Sequence, residues 1–274
     1  LVEETQNKVI VLDPTGEYST FDAAEFVESR IMGETCHFPY RQLKVADLFY
    51  LLRPTAQSQR PVLAQAIRSL KTVELARTNG DKTLDHHIDG RGCLEKSGKE
   101  KRPVQCFQYK HIDQIENDLC SFDIRNLPFQ LKNECVYETG VENDSLHWGR
   151  QDDKMDDFQS ALKIRIQELL SKKEFNSLFN LKGNLPSTSM AVPELLNSFF
   201  GDSKKRVLRL DFSRVSSSFS AREIVANAIA KYLYGAAKSG EYVKVPVLMF
   251  LDEAHLFVNK RLLDVDQNVI PLDA

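Results

Sequence analysis

The stretch Val247-Leu248-Met249-Phe250-Leu251-Asp252-Glu253-Ala254-His255 decides the fold class. An apolar run from Val247 to Leu251, opened by Pro246, is the signature of a strand covered on both faces, as parallel sheets require. Two carboxylates follow at once. In open α/β sheets the carboxyl ends of the strands are where ligands bind. Successive side chains of an extended chain point to opposite sides, so Asp252 and Glu253 can take separate tasks. Taken alone, such an ending belongs equally to a buried strand leaving its sheet with two solvated acids.

A second strand helps to decide. Lys8 to Leu12, KVIVL, is another apolar run, and it stops at Asp13-Pro14-Thr15-Gly16-Glu17-Tyr18, where proline and glycine force the chain out of a sheet. In a parallel sheet Asp13 and Glu17 would lie at the same edge as Asp252 and Glu253. A third strand, Val207 to Phe212, sets Leu208 and Leu210 alternating against charges. Ser220-Ala221-Arg222-Glu223 has the spacing of a capping box, and the helix it opens runs through Ile224, Ala228 and Tyr232 to a stop at Ser239-Gly240. Between the first and third strands the period is helical. Leu63, Ile67, Leu70 and Val73 form one stripe, Ile112, Ile115 and Leu119 a second, Leu127, Leu131 and Cys135 a third, and Phe158, Leu162, Ile166 and Leu169 a fourth. Asp81 to Val104 is rich in charge and glycine and is expected to be a mobile loop. The expected architecture is α/β: a partial parallel sheet with right-handed crossovers and a mostly helical insertion. Residues 1–44 and 201–274 supply the sheet and 45–200 the insertion.

Composition sets outer limits. The chain is 42% hydrophobic and 27% charged, enough for one sizeable core or two small ones. A net charge of -3 points to neither nucleic acid nor membrane, yet leaves room for a locally basic channel. No apolar run approaches membrane-spanning length and no signal-peptide pattern opens the chain, so no membrane partner is expected. Five cysteines, an odd number with no CxxC pair, suit a reduced cytoplasmic setting better than a disulfide framework. His86, His87, Cys93 and Cys106 match no common zinc spacing. Lys96, Lys99, Lys101 and Arg102 are read as a solvated charge run in preference to a phosphate-binding patch, and His147-Trp148 as a packing element.

The acid pair suits phosphoryl-transfer chemistry. Asp252 can hold Mg²⁺ through water while the ion bridges phosphate oxygens, and Glu253 can orient or deprotonate the attacking water. At this point the residues resemble a family. VIVLDPTGEY, Val9 to Tyr18, looks like the second-strand motif of HerA-like ATPases, in the FtsK–HerA branch of the P-loop NTPases. VPVLMFLDEAHLFVNK, Val245 to Lys260, resembles their Walker B strand and the helix after it. FPYRQL from Phe38, PFQLKNECVY from Pro128, HWGR from His147 and SAREIVANAIAKYL from Ser220 resemble segments of the bacterial group. The resemblance implies a RecA-like core, ATP and Mg²⁺ as cofactors, a homo-oligomeric ring (a hexamer), and double-stranded DNA in the ring channel. It also implies a nuclease or sirtuin-like partner, in DNA end processing or anti-phage defence. On it, Asp252 matches the Walker B acid, Glu253 the catalytic acid, and Asp13 and Glu17 the nucleotide-side motif. The family's phosphate loop should precede Val9, and Leu1 to Lys8 contain no glycine. The chain is therefore expected to be an internal piece, truncated at both ends, that does not hydrolyse ATP alone. Two other readings remain: an inert ATPase-like scaffold for a partner, and a secretion motor of the VirB4 kind.

Overall fold

The computed structural model describes residues 7–240 and 245–257. The end of the Val245–Lys260 segment, from Val258 onward, lies outside the described residues. The strands are β1 (Lys8–Asp13), β2 (Val27–Ile31), β3 (Cys36–His37), β4 (Met190–Ala191), β5 (Val207–Asp211) and β6 (Val247–Leu251). The helices are α1 (Val45–Leu52), α2 (Gln59–Asn79), α3 (Arg102–Lys110), α4 (Ile112–Ile115), α5 (Leu127–Glu134), α6 (Asp153–Phe158), α7 (Ser160–Ser171), α8 (Lys173–Phe179), α9 (Val192–Gly201) and α10 (Ala221–Lys238). Two compact units result: Leu1–Leu43 with Lys172–Ala274, and Lys44–Ser171.

The first unit holds a four-stranded, all-parallel sheet in the order β2-β5-β1-β6. Ile10, Leu12, Leu208 and Leu210 share one face and are wholly buried, as the apolar runs require. The opposite face behaves differently. Val9 and Val11 lie beside Leu248 and Phe250, and the latter two remain 43% and 55% exposed. The expectation that β6 is covered on both faces is therefore corrected: among the described residues its outward side chains are only partly covered. The expected alternation in β5 is corrected too, because Arg209 and Asp211 are buried along with the leucines between them. β2 escaped the sequence pattern, since Glu28 and Arg30 interrupt it. They pair with each other at 2.7 Å on an edge strand, where charge discourages further pairing.

Residues 172–200, grouped above with the insertion, cluster with the sheet. β4 pairs in parallel with β3, and the Phe38 amide donates to the Leu178 carbonyl at 2.9 Å. Lys8 is buried and donates to the carbonyls of Phe199, Asp202 and Lys205, so it closes the C-terminal end of α9 with its charge. The capping box at α10 does not form. Ser220 sits in the left-handed region at φ 54° and its side chain makes no cap hydrogen bond, whereas Arg222 donates to the Val215 carbonyl at 2.7 Å.

The helical unit buries Leu63, Ile67, Leu70 and Val73 of α2, Leu127 and Leu131 of α5, and Leu162, Ile166 and Leu169 of α7. Phe158 drops out of its expected stripe, because the chain turns at Gln159 between α6 and α7 and leaves that ring exposed. Ile112 and Leu119 are likewise exposed, and only Ile115 of their stripe reaches the core. The expectation of a mobile loop over Asp81–Val104 is overturned. Leu84, Cys93 and Leu94 are fully buried, and Leu84, Leu94 and Val104 pack with Val73, Phe107 and Trp148. Gln130 of α5 stands in for a strand partner: it accepts from the Leu94 amide at 2.7 Å and donates to the Leu94 carbonyl at 3.0 Å. Lys96 pairs with Glu134 over the Trp148 ring, and Lys101 pairs with Glu138 at 2.7 Å, so these lysines are neutralised within the fold.

Gln130→Leu should therefore lower the stability of this unit by about 2 kcal/mol, because it strips a buried amide of its acceptor. Urea unfolding followed by the fluorescence of Trp148, the sole tryptophan, measures it. An unchanged midpoint would show that the segment is not held this way.

Candidate functional site

The parallel register brings the two motif strands side by side. Leu12 pairs with Leu251, and the Asp252 amide extends the ladder by donating to the Leu12 carbonyl at 3.2 Å. Asp13 and Asp252 thus end at one edge of the sheet. The connections leaving β1 and β5 run in opposite directions along the sheet, one to β2 and the other to β6. Ligands of open α/β sheets bind outside the carboxyl ends of the strands, the end where Asp13 and Asp252 lie.

Asp13 is fully buried and its oxygens are committed. One accepts from the amides of Thr15 at 3.2 Å and Gly16 at 2.7 Å, and the other from the Tyr18 amide at 3.2 Å and Arg209 Nε at 2.8 Å. Burial on its own would raise the Asp13 pKa. The Arg209 hydrogen bond, the Gly16 and Tyr18 amides and the Arg209 charge outweigh it, and hold the carboxyl below its ordinary value. Arg209 also pairs with Asp22 at 3.0 Å and Asp211 at 3.1 Å. Gly16 is needed at its position. Its φ is 82°, and a Cβ there would lie 3.3 Å from Ser213 Cβ. Glu17 follows on the exposed surface of the turn.

Glu253 stands immediately beyond β6 in the left-handed region, at φ 43° and ψ 49°. Such a conformation in a residue with a Cβ is strained, and strain of this kind concentrates at functional sites. The turn is fastened beyond it: Phe257 is buried, with its ring edge-on to Phe212 at 5.4 Å. His255 Nδ1 lies 3.0 Å from Glu253 Oε2. Beside the acids a cavity of about 570 Å³ is lined by Val9, Val11, Phe21 and Phe250, with Tyr18 and Asp252 among its polar members. Tyr18, which sequence reasoning left without a role, lines this cavity together with Asp252, and the charge on that carboxylate is the main reason the phenol pKa rises, with burial adding to it.

A sequence profile described as "Helicase HerA, central domain" matches residues 1–233. The chain belongs to the HerA family. A comparison with curated protein sequences finds no match. The HerA match spans β1 to α10 and so contains Asp13, Glu17, Tyr18 and Arg209; Asp252 and Glu253 lie beyond it, and are tied to the HerA segment by the β1–β6 register. The mixed α/β unit with its parallel sheet is a partial RecA-like fold of the P-loop ATPase kind. Among the described residues no group of three or more His, Cys, Asp or Glu is disposed to hold a metal, and His86, His87, Cys93 and Cys106 are not gathered into one. A lone aspartate at the strand end is still compatible with Mg²⁺, which commonly takes one or two carboxylates and completes its shell with water and phosphate oxygens. No helix among the described residues is long and apolar enough to cross a membrane.

Asp13→Asn should destabilise the sheet unit by about 3 kcal/mol at neutral pH, since it leaves part of the Arg209 charge unpaired. A carboxyl whose folded pKa is depressed contributes its full stability above its unfolded pKa of about 4, and loses it as pH falls through the lower folded value. The gap between wild type and variant should therefore be full above about pH 4 and close on further acidification. A gap independent of pH, in urea unfolding at several pH values, would contradict the assignment.

Proposed function

We propose that this chain contributes the acid side of the nucleotide site in a HerA-like ring ATPase that couples ATP hydrolysis to movement along double-stranded DNA. The observation that carries this is the adjacent Asp252-Glu253 pair, held at one sheet edge beside the Asp13–Tyr18 loop, with Glu253 in a strained turn. Mg²⁺ would neutralise the charge building on the phosphates. Asp252, at the end of β6, would bind the ion through water. Glu253 leaves the strand direction at once, so its carboxylate is free to orient the attacking water and accept its proton. His255 lies against Glu253 and can steady it. In this reading Asp13 serves indirectly, as the anchor of the loop, and Glu17 reaches the nucleotide from the exposed rim.

Family membership supports a homo-oligomeric ring, a hexamer, around duplex DNA, with a nuclease or sirtuin-like subunit in DNA end processing or defence against phage. A reducing cytoplasm suits the free cysteines. Burial pushes the thiols of Cys36, Cys93, Cys120 and Cys135 up to about 12, which leaves them inert packing groups.

Two measurements test the proposal. A fluorescent ATP analogue should bind with Mg²⁺ saturably, and Asp252→Ala should abolish that binding. In the assembled parent protein Glu253→Gln should slow hydrolysis by about 100-fold or more with binding retained. Hydrolysis at the unsubstituted rate would remove Glu253 from the chemistry.

A further inference from the structure

We propose that a second cavity in the sheet unit, apart from the acid pair, binds a small zwitterion with an apolar side chain, of the α-amino acid class. Its volume is about 490 Å³, a size suited to a small molecule. It shares no lining residue with the cavity beside Asp252. It lies at the carboxyl ends of β2 and β5, the side of an open α/β sheet on which ligands bind. Met32 follows β2 directly, and its amide donates to the Asp211 carbonyl at 2.9 Å, which ties one wall to the sheet. The floor is apolar: Met32, Phe175, Leu178 and Val215 are all buried. It is also fixed from behind. The Leu178 carbonyl accepts from the Phe38 amide at 2.9 Å, and the Val215 carbonyl from Arg222 Nε at 2.7 Å. Phe219 and Ser220, which lead into α10, hold left-handed backbones at φ 57° and 54°, and the Phe219 ring meets Phe175 edge-on at 5.2 Å. Strain of this kind concentrates at ligand sites.

The rim sets the class of ligand. Glu34, Glu174, Lys173 and Arg214 are exposed there, two of each sign, and Arg214 pairs with Glu34. A purely anionic ligand would meet two carboxylates, and a purely cationic one two cations. A ligand with both charges on one carbon finds a partner for each: its carboxylate at Arg214, its ammonium at Glu34 or Glu174. Its apolar side chain then lies on the buried floor. The Arg214–Glu34 pair opens to receive the two charged groups, and this costs little, because an exposed pair contributes little to stability.

The probe is para-fluoro-L-phenylalanine, followed by fluorine NMR on the whole chain. Saturable binding is expected, and Arg214→Gln should weaken it about tenfold. The methyl ester of the probe, which lacks the carboxylate, should bind the unsubstituted chain about tenfold more weakly than the free acid, and Arg214→Gln should weaken the ester no further. The N-acetyl derivative, which lacks the ammonium, should also lose about tenfold. Ser177→Phe, which fills the cavity from α8, should abolish binding, with circular dichroism showing that the variant folds. Absence of saturable binding overturns the proposal. So does an acetylated probe that binds as tightly as the free amino acid, since the cavity would then be an anion site. Binding unchanged by Arg214→Gln places the probe elsewhere and overturns it as well, even if Ser177→Phe does not fold. No nucleotide enters the test, so its outcome is independent of the roles given to Asp252 and Glu253.

Discussion

The sheet unit depends on one buried cation. Arg209 is almost wholly enclosed and meets Asp13, Asp22 and Asp211. Taking a guanidinium out of water costs several kcal/mol, and only good geometry with satisfied hydrogen bonds offsets it. Here that condition is met by carboxylates from β1, from the turn after it and from β5. A network of this kind adds little net stability over an apolar core, but it is costly to break, and it specifies which strand ends lie together. It also explains why Asp13 is unavailable as a direct ligand.

From that anchor the candidate site follows by short steps. Asp13 gathers the amides of Thr15, Gly16 and Tyr18 and so shapes the turn. The β1–β6 register then places Asp252 next to that turn, and the left-handed kink at Glu253 separates the second carboxylate from the first. The face of the sheet that carries the cavity keeps Leu248 and Phe250 exposed. The Asp252 amide is held by the Leu12 carbonyl and the turn after Glu253 by the buried Phe257 ring, so the segment that follows β6 is fixed to the sheet.

The helical unit shows the same economy with charge. Lys96 and Lys101 read in the sequence as part of a solvated charge run, and the structure corrects that, since each is buried against a glutamate. Trp148 packs beneath Lys96, as expected of a tryptophan in a polar neighbourhood. Their role in this unit is cohesion, and any phosphate contact would have to come from other residues.

The sequence alone was enough for whatever is written in local pattern. The apolar runs of β1 and β6, the period of α2, α5 and α7, and the acids at the strand ends are all there, because burial imposes its period directly on the chain. The HerA motifs were legible for the same reason: turn chemistry and strand ends are short-range. Only the tertiary structure decided which polar residues turn inward. Arg209, Lys96 and Gln130 look like surface residues in one dimension, since their burial depends on partners 196, 38 and 36 positions away. The ordering of Asp81–Val104 and the open face of β6 were settled there too. A hydrogen bond between distant segments leaves no period in the sequence, and the free energy that fixes it exists only when the fold brings both ends together.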